Sequence, residues 1–194
     1  MFEHVTILLS FVFALALTHL LSSATELLIA GKRVRFSGLY ALWVLTTVLV
    51  LLANWMALWG LVALKRWTVA EVVIQFASAV VQYFTCSTFR VSEVRGDETI
   101  DLPALFQQRR PLIFGAFLVL SLVAAFQNWW DRNNMASVNP GDWVGEDLSI
   151  LPMAVAVIVS GWARPRWLQW TAAATVFGLS LYFLAVYAIP GGQR

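Results

Sequence analysis

Six apolar stretches occupy most of this chain, at residues 5–30, 39–64, 69–89, 112–130, 148–163 and 167–189. A hydrocarbon core about 30 Å thick needs about 20 apolar residues for each helical crossing. Five stretches meet that length, and the fifth in order is short. Helix is the only form lipid tolerates here. An open backbone has no partner in hydrocarbon, and the runs are too long and too uniformly apolar to be alternating barrel strands. The sequence therefore predicts an all-α, polytopic bundle of six transmembrane helices with short loops, forming one integral membrane domain over residues 1–194. With 60% hydrophobic and 12% charged residues in a chain of 194, the composition is not that of a soluble domain.

Local punctuation agrees with these boundaries. Gly31 and Gly38 bracket the first loop, Pro111 is expected to open the fourth helix, and Pro190-Gly191-Gly192 closes the sixth. The first apolar run has no Lys or Arg before it, so it is read as a retained helix and not as a cleaved signal peptide. Asn139-Pro140-Gly141 reads as a turn.

Lys and Arg divide unevenly between alternate loops. Lys32, Arg33, Arg35, Arg90, Arg95, Arg109, Arg110, Arg164 and Arg166 fall on one side, and Lys65, Arg66, Arg132 and Arg194 on the other. The positive-inside rule assigns the nine-charge side to the cytoplasm and both termini to the outside, in a cell membrane, or the inner membrane in a bacterium. The ten tryptophans are expected to form aromatic belts at the two interfaces, Trp43 included. In the stretch 90–110, Asp101 and Pro103 mark a helix start. Leu102, Leu105 and Phe106 suggest a short helix lying on the membrane surface and facing lipid. The outer loop 131–147 carries Asp131, Asp142, Glu146 and Asp147, read as solvated loop charges.

Two helices carry polar stripes. His19, Ser22, Ser23 and Glu26 share a face of the first, while Glu71, Gln75, Ser78, Gln82, Thr85 and Cys86 share a face of the third. Counted from the outer ends, His19 is level with Gln82 and Glu26 with Arg90. That matching predicts that the two faces meet, His19 lying near Gln82 and Glu26 pairing with Arg90. Polar groups at such depth serve as packing glue, as a proton or solute path, or as a docking face for another subunit. His19, Ser22, Ser23, Glu26, Glu71, Gln75, Gln82 and Arg90 form the candidate site.

Several chemistries find no support. The two histidines, His4 and His19, lie about 22 Å apart along one helix at 1.5 Å per residue, which is the wrong geometry for two axial haem ligands. One cysteine, Cys86, excludes an internal disulfide and gives no zinc ligand set. There is no Gly-x-Ser-x-Gly elbow, no Walker A loop and no Gly-x-Gly-x-x-Gly. A net charge of +2 without a basic run gives nucleic acid no footprint. No catalytic residue, metal or cofactor is expected. The sequence predicts a non-enzymatic accessory or scaffold subunit in contact with lipid and with other membrane subunits or itself. The alternative is a small proton, ion or solute channel or carrier using the two stripes.

Overall fold

A computed structural model describes residues 2–59, 67–91, 99–134 and 140–186. Six α-helices appear among them: α1 (Phe2–Ala30), α2 (Gly38–Ala57), α3 (Val69–Ser87), α4 (Leu102–Asn134), α5 (Pro140–Trp162) and α6 (Arg166–Val186). Helices α1, α2, α3, α4 and α6 each hold a segment long and apolar enough to cross a membrane, and α5 has a shorter apolar part, Ile150–Trp162. The chain is a helical bundle of the multi-pass membrane type.

Local chemistry starts and stops these helices. Ser37 caps α2 by accepting a hydrogen bond from Tyr40 N. Thr68 and Glu71 form a reciprocal capping box on α3. Asp101 caps α4 by accepting from Ala104 N at 3.0 Å, so the start expected at Asp101 and Pro103 is present. Helix α1 ends where Gly31 turns to φ +51°, a conformation open to glycine because it has no Cβ. Beyond it, β1 (Val34–Arg35) pairs in parallel with β2 (Ile100–Asp101), Val34 opposite Ile100 and Arg35 opposite Asp101.

The helices close a circuit. Helix α1 packs on α3, α3 on α4, α4 on α5, α5 on α6, and α6 on α2, which returns lightly to α1 and also touches α3 and α4. The centre is a ring of edge-to-face aromatic contacts running Tyr40–Phe89–Phe117–Trp43–Phe114–Phe106 and back to Tyr40, with ring centroids 4.8–6.5 Å apart. Contacts of this geometry add about 0.5–1.5 kcal/mol each beyond area burial. They tie α2, the turn after α3 and α4 together.

Four expectations change. First, α4 begins ten residues before Leu112, and Pro111 lies inside it. Leu102 and Phe106 are buried in the core, so this segment is not a lipid-facing surface helix. Its apolar positions answer the aromatic ring, and its Asp101 cap starts the helix early. At 33 residues α4 is about 50 Å long, which carries it past an apolar slab. Second, α5 begins at Pro140, a residue suited to a first helical turn. Residues 140–147 are therefore helical backbone and not a turn and loop. Third, Trp43 is wholly enclosed and belongs to the core, whereas Trp55, Trp59, Trp129, Trp162, Trp167 and Trp170 are exposed as a belt requires. Fourth, α2 stops at Ala57. Of the remainder of its expected span, residues 58–59 form a short 3-10 turn and 60–64 lie outside the described residues, as do Lys65, Arg66, Arg95, Asn139 and the segment from 187 to the end. The side chains of Asp131, Asp142, Glu146 and Asp147 lie outside them too.

Candidate polar site within the helices

The stripe on α1 does meet α3, because these helices pack on one another. The contacts differ by one residue from the depth count. His19 Nε2 is hydrogen-bonded to the Tyr83 hydroxyl at 2.9 Å, and the two rings are edge to face at 5.3 Å. Gln82 turns instead to α2, where its Oε1 accepts from Asn54 Nδ2 at 2.8 Å. Successive residues on a helix point about 100° apart, so Gln82 and Tyr83 cannot both face α1. Gln82 is fully enclosed, and its amide also approaches Cys86 Sγ at 3.8 Å.

Nearer the opposite end of α3, Gln75 Oε1 accepts from Gln127 Nε2 of α4 at 3.0 Å. Trp55 Nε1 of α2 donates to Ser10 Oγ of α1 at 3.2 Å. Glu71 belongs to the capping box and not to a cross-helix contact. Ser22 is exposed, whereas Ser23 is buried and accepts from Val91 N at 3.3 Å.

Glu26 and Arg90 are not paired. Helix α3 ends at Ser87, so a depth count along the helix does not extend to residue 90. Arg90 is exposed, and its backbone carbonyl accepts from Arg109. Glu26 Oε2 is buried without a hydrogen-bond partner.

Sequence reasoning missed the two arginines that organise the basic end. Arg109 Nη1 donates to the Thr88 and Arg90 carbonyls beyond α3. Arg110 donates through Nε and Nη2 to the Ser160 carbonyl at 2.8 and 2.6 Å, and through Nη2 to the Ala163 carbonyl. Cations at helix C-termini oppose the negative end of the dipole and satisfy orphan carbonyls. Gln169 of α6 adds a bond to the same Ala163 carbonyl at 3.0 Å, and Tyr40 donates to the Phe89 carbonyl at 2.7 Å. These residues, with the Arg35–Asp101 ion pair at 2.9 Å, gather segments 31–37, 88–91, 100–101 and 163–164 at one end. Arg109 and Arg110 were visible as charges; their reach sideways into neighbouring helix ends had no sequence signal. Asn54 and Gln127 did have one, being polar residues in apolar runs.

Among the described residues, no group of three His, Cys, Asp or Glu side chains is placed to hold a metal ion. Compared with family models, curated proteins and solved structures, the chain matches none.

Proposed function

We propose that this chain is a non-enzymatic integral membrane protein with six crossings that acts as an accessory or scaffold subunit, packing against other membrane proteins. The observation that carries this reading is the pairing of membrane-depth polar side chains with one another: His19 with Tyr83, Asn54 with Gln82, Gln75 with Gln127 and Ser10 with Trp55. Groups so engaged act as interhelical glue, worth about 0.6 kcal/mol per pair on average. Their hydrogen bonds are spent on each other and not on a solute. A shallow hollow of about 310 Å³ between α3 and α4 supports a partner helix. It is floored by Gly115 and Ala116 and flanked by Phe84 and Val119, and a Cβ on Gly115 would meet nothing within 4 Å. Small residues on a lipid-facing surface let another helix approach closely. Purification in a mild detergent should yield a stoichiometric partner, lost on Gly115→Phe with the fold retained. A monomer or a homo-oligomer alone would overturn the accessory reading.

One observation favours the second reading, a proton or ion channel or carrier. Glu26 Oε2 is buried and unpartnered on the helix face that also bears His19, and ionisable groups at membrane depth commonly mark ion routes. In that case liposomes holding the protein pass protons or cations, and His19→Ala or Glu26→Gln abolishes the flux. Under the glue reading they stay tight, and His19→Ala lowers thermal stability.

A further inference from the structure

Helices α1 and α2 are joined by a tight turn but touch only lightly. Between them lies a groove of about 490 Å³, within the size range of small-molecule sites. Leu20, Ala24 and Leu27 form one wall and Ala41 and Val44 the other, over a floor that includes Tyr40 and Phe89. Leu28, Phe36 and Leu45 at its rim are strongly exposed. The wall offers little to a polar ligand. The Tyr40 hydroxyl is committed to the Phe89 carbonyl and Ser23 Oγ to Val91 N.

The groove's end is different. Gly31, Val34 and Phe36 line it, and between them in the chain stand Lys32, Arg33 and Arg35. Lys32 and Arg35 are exposed, and Arg35 is held in place by Asp101. One six-residue segment thus closes an apolar slot and carries an exposed cation, Lys32, next to the slot's lining residue Gly31. Arg35 turns to the other side of the strand and onto Asp101. Both walls belong to helices apolar enough to cross a membrane, so the open side faces acyl chains. An apolar slot ending in positive charge matches a molecule with an apolar chain and an anionic head.

We propose that this groove binds one acyl chain of an anionic phospholipid, with the headgroup phosphate held by the 31–36 segment, chiefly Lys32. The proposal is independent of the accessory-subunit reading and needs only the membrane placement of α1 and α2.

The test is native mass spectrometry of the full chain in a mild detergent, titrated with phosphatidylglycerol or with phosphatidylcholine of identical chains. One phosphatidylglycerol should be retained in preference to phosphatidylcholine. Lys32→Gln should weaken phosphatidylglycerol binding about fivefold, the effect of one cation near an anionic surface, and leave phosphatidylcholine unchanged. Ala41→Phe, which fills the slot, should weaken both lipids. Lys32→Gln is a surface change, so it keeps the test decisive if Ala41→Phe does not fold. Equal retention of the two lipids, or indifference to Lys32→Gln, would overturn the proposal. So would displacement of the lipid by millimolar inorganic phosphate, since a free anion lacks the chain, or a dimer that Ala41→Phe abolishes.

Discussion

At the scale of single residues, the Asn54–Gln82 contact is the sharpest place to measure what membrane-depth polar groups do. Gln82 has no access to solvent, so Asn54→Leu leaves its carbonyl oxygen without the donor it now has. An unsatisfied buried acceptor costs about 1–3 kcal/mol. Replacing both residues by leucine removes the contact and the orphan together. Asn54→Leu should therefore destabilise by about 1–2 kcal/mol, and the double mutant by less than the sum of the singles, measured by reversible unfolding in mixed micelles. Strict additivity would show that the pair is not coupled. The candidate site was half legible at this scale. Periodicity placed His19 and Gln82 at matching depth on helices that do pack together, because both helices are regular over those residues. It missed which neighbour each side chain chooses, since one residue of rotation sends Tyr83 to α1 and Gln82 to α2. It also paired Glu26 with a residue beyond the end of α3.

At the scale of elements, α4 acts as a brace through two adjacent arginines that serve different neighbours, Arg109 the end of α3 and Arg110 the end of α5. Hydrogen bonds from a charged donor contribute about 1.5–3 kcal/mol, so Arg110→Met should destabilise by about 2 kcal/mol in the same unfolding assay. Arg110→Lys should recover only part of this, because a point charge opposes the dipole but lacks the planar fork that reaches two carbonyls. Full recovery by lysine would mean that charge alone matters. The β1–β2 clasp gives a pH prediction. The carboxyl of Asp101 is held below its ordinary value of 3.8, chiefly by the hydrogen bond from Ala104 N; desolvation opposes this, and the Arg35 guanidinium adds a further lowering. A carboxyl whose value falls on folding stabilises the fold above its unfolded value, and that contribution is lost as pH drops through the folded one. Melting temperature should thus fall as pH drops below about 4, and Asp101→Asn should flatten that acid limb. An unchanged limb would remove Asp101 from the account. The early start of α4 was partly readable in Asp101 and Pro103, but the apolar spacing of Leu102 and Phe106 suits lipid and core equally. Only the aromatic ring beside them decides between the two.

At the scale of the whole molecule, the helical bundle follows from apolar length alone, because lipid leaves the backbone no other solution. Helix order around the circuit was not legible, since uniformly apolar surfaces carry little information about neighbours and the deciding contacts are side-on ones such as Trp43 against Phe114. Sidedness is open to experiment. The clasp and the arginine caps bring the first, third and fifth connections to one end. Among the described residues that end holds Lys32, Arg33, Arg35, Arg90, Arg109, Arg110, Arg164 and Arg166, which is the pattern of a cytoplasmic face. If the six proposed crossings hold, both termini are expected outside. Single cysteines at positions 2 and 193, in a Cys86→Ala background, should react with a membrane-impermeant maleimide applied to intact cells, whereas one at position 32 should react only after the membrane is opened. The native thiol is buried, so the background change removes a weak label without exposing a new surface. Labelling at position 2 but not at 193 would mean an odd number of crossings, with α5 failing to traverse. Labelling of both termini only from the cytoplasm would invert the molecule and leave its basic end facing out, a direct conflict with the charge bias.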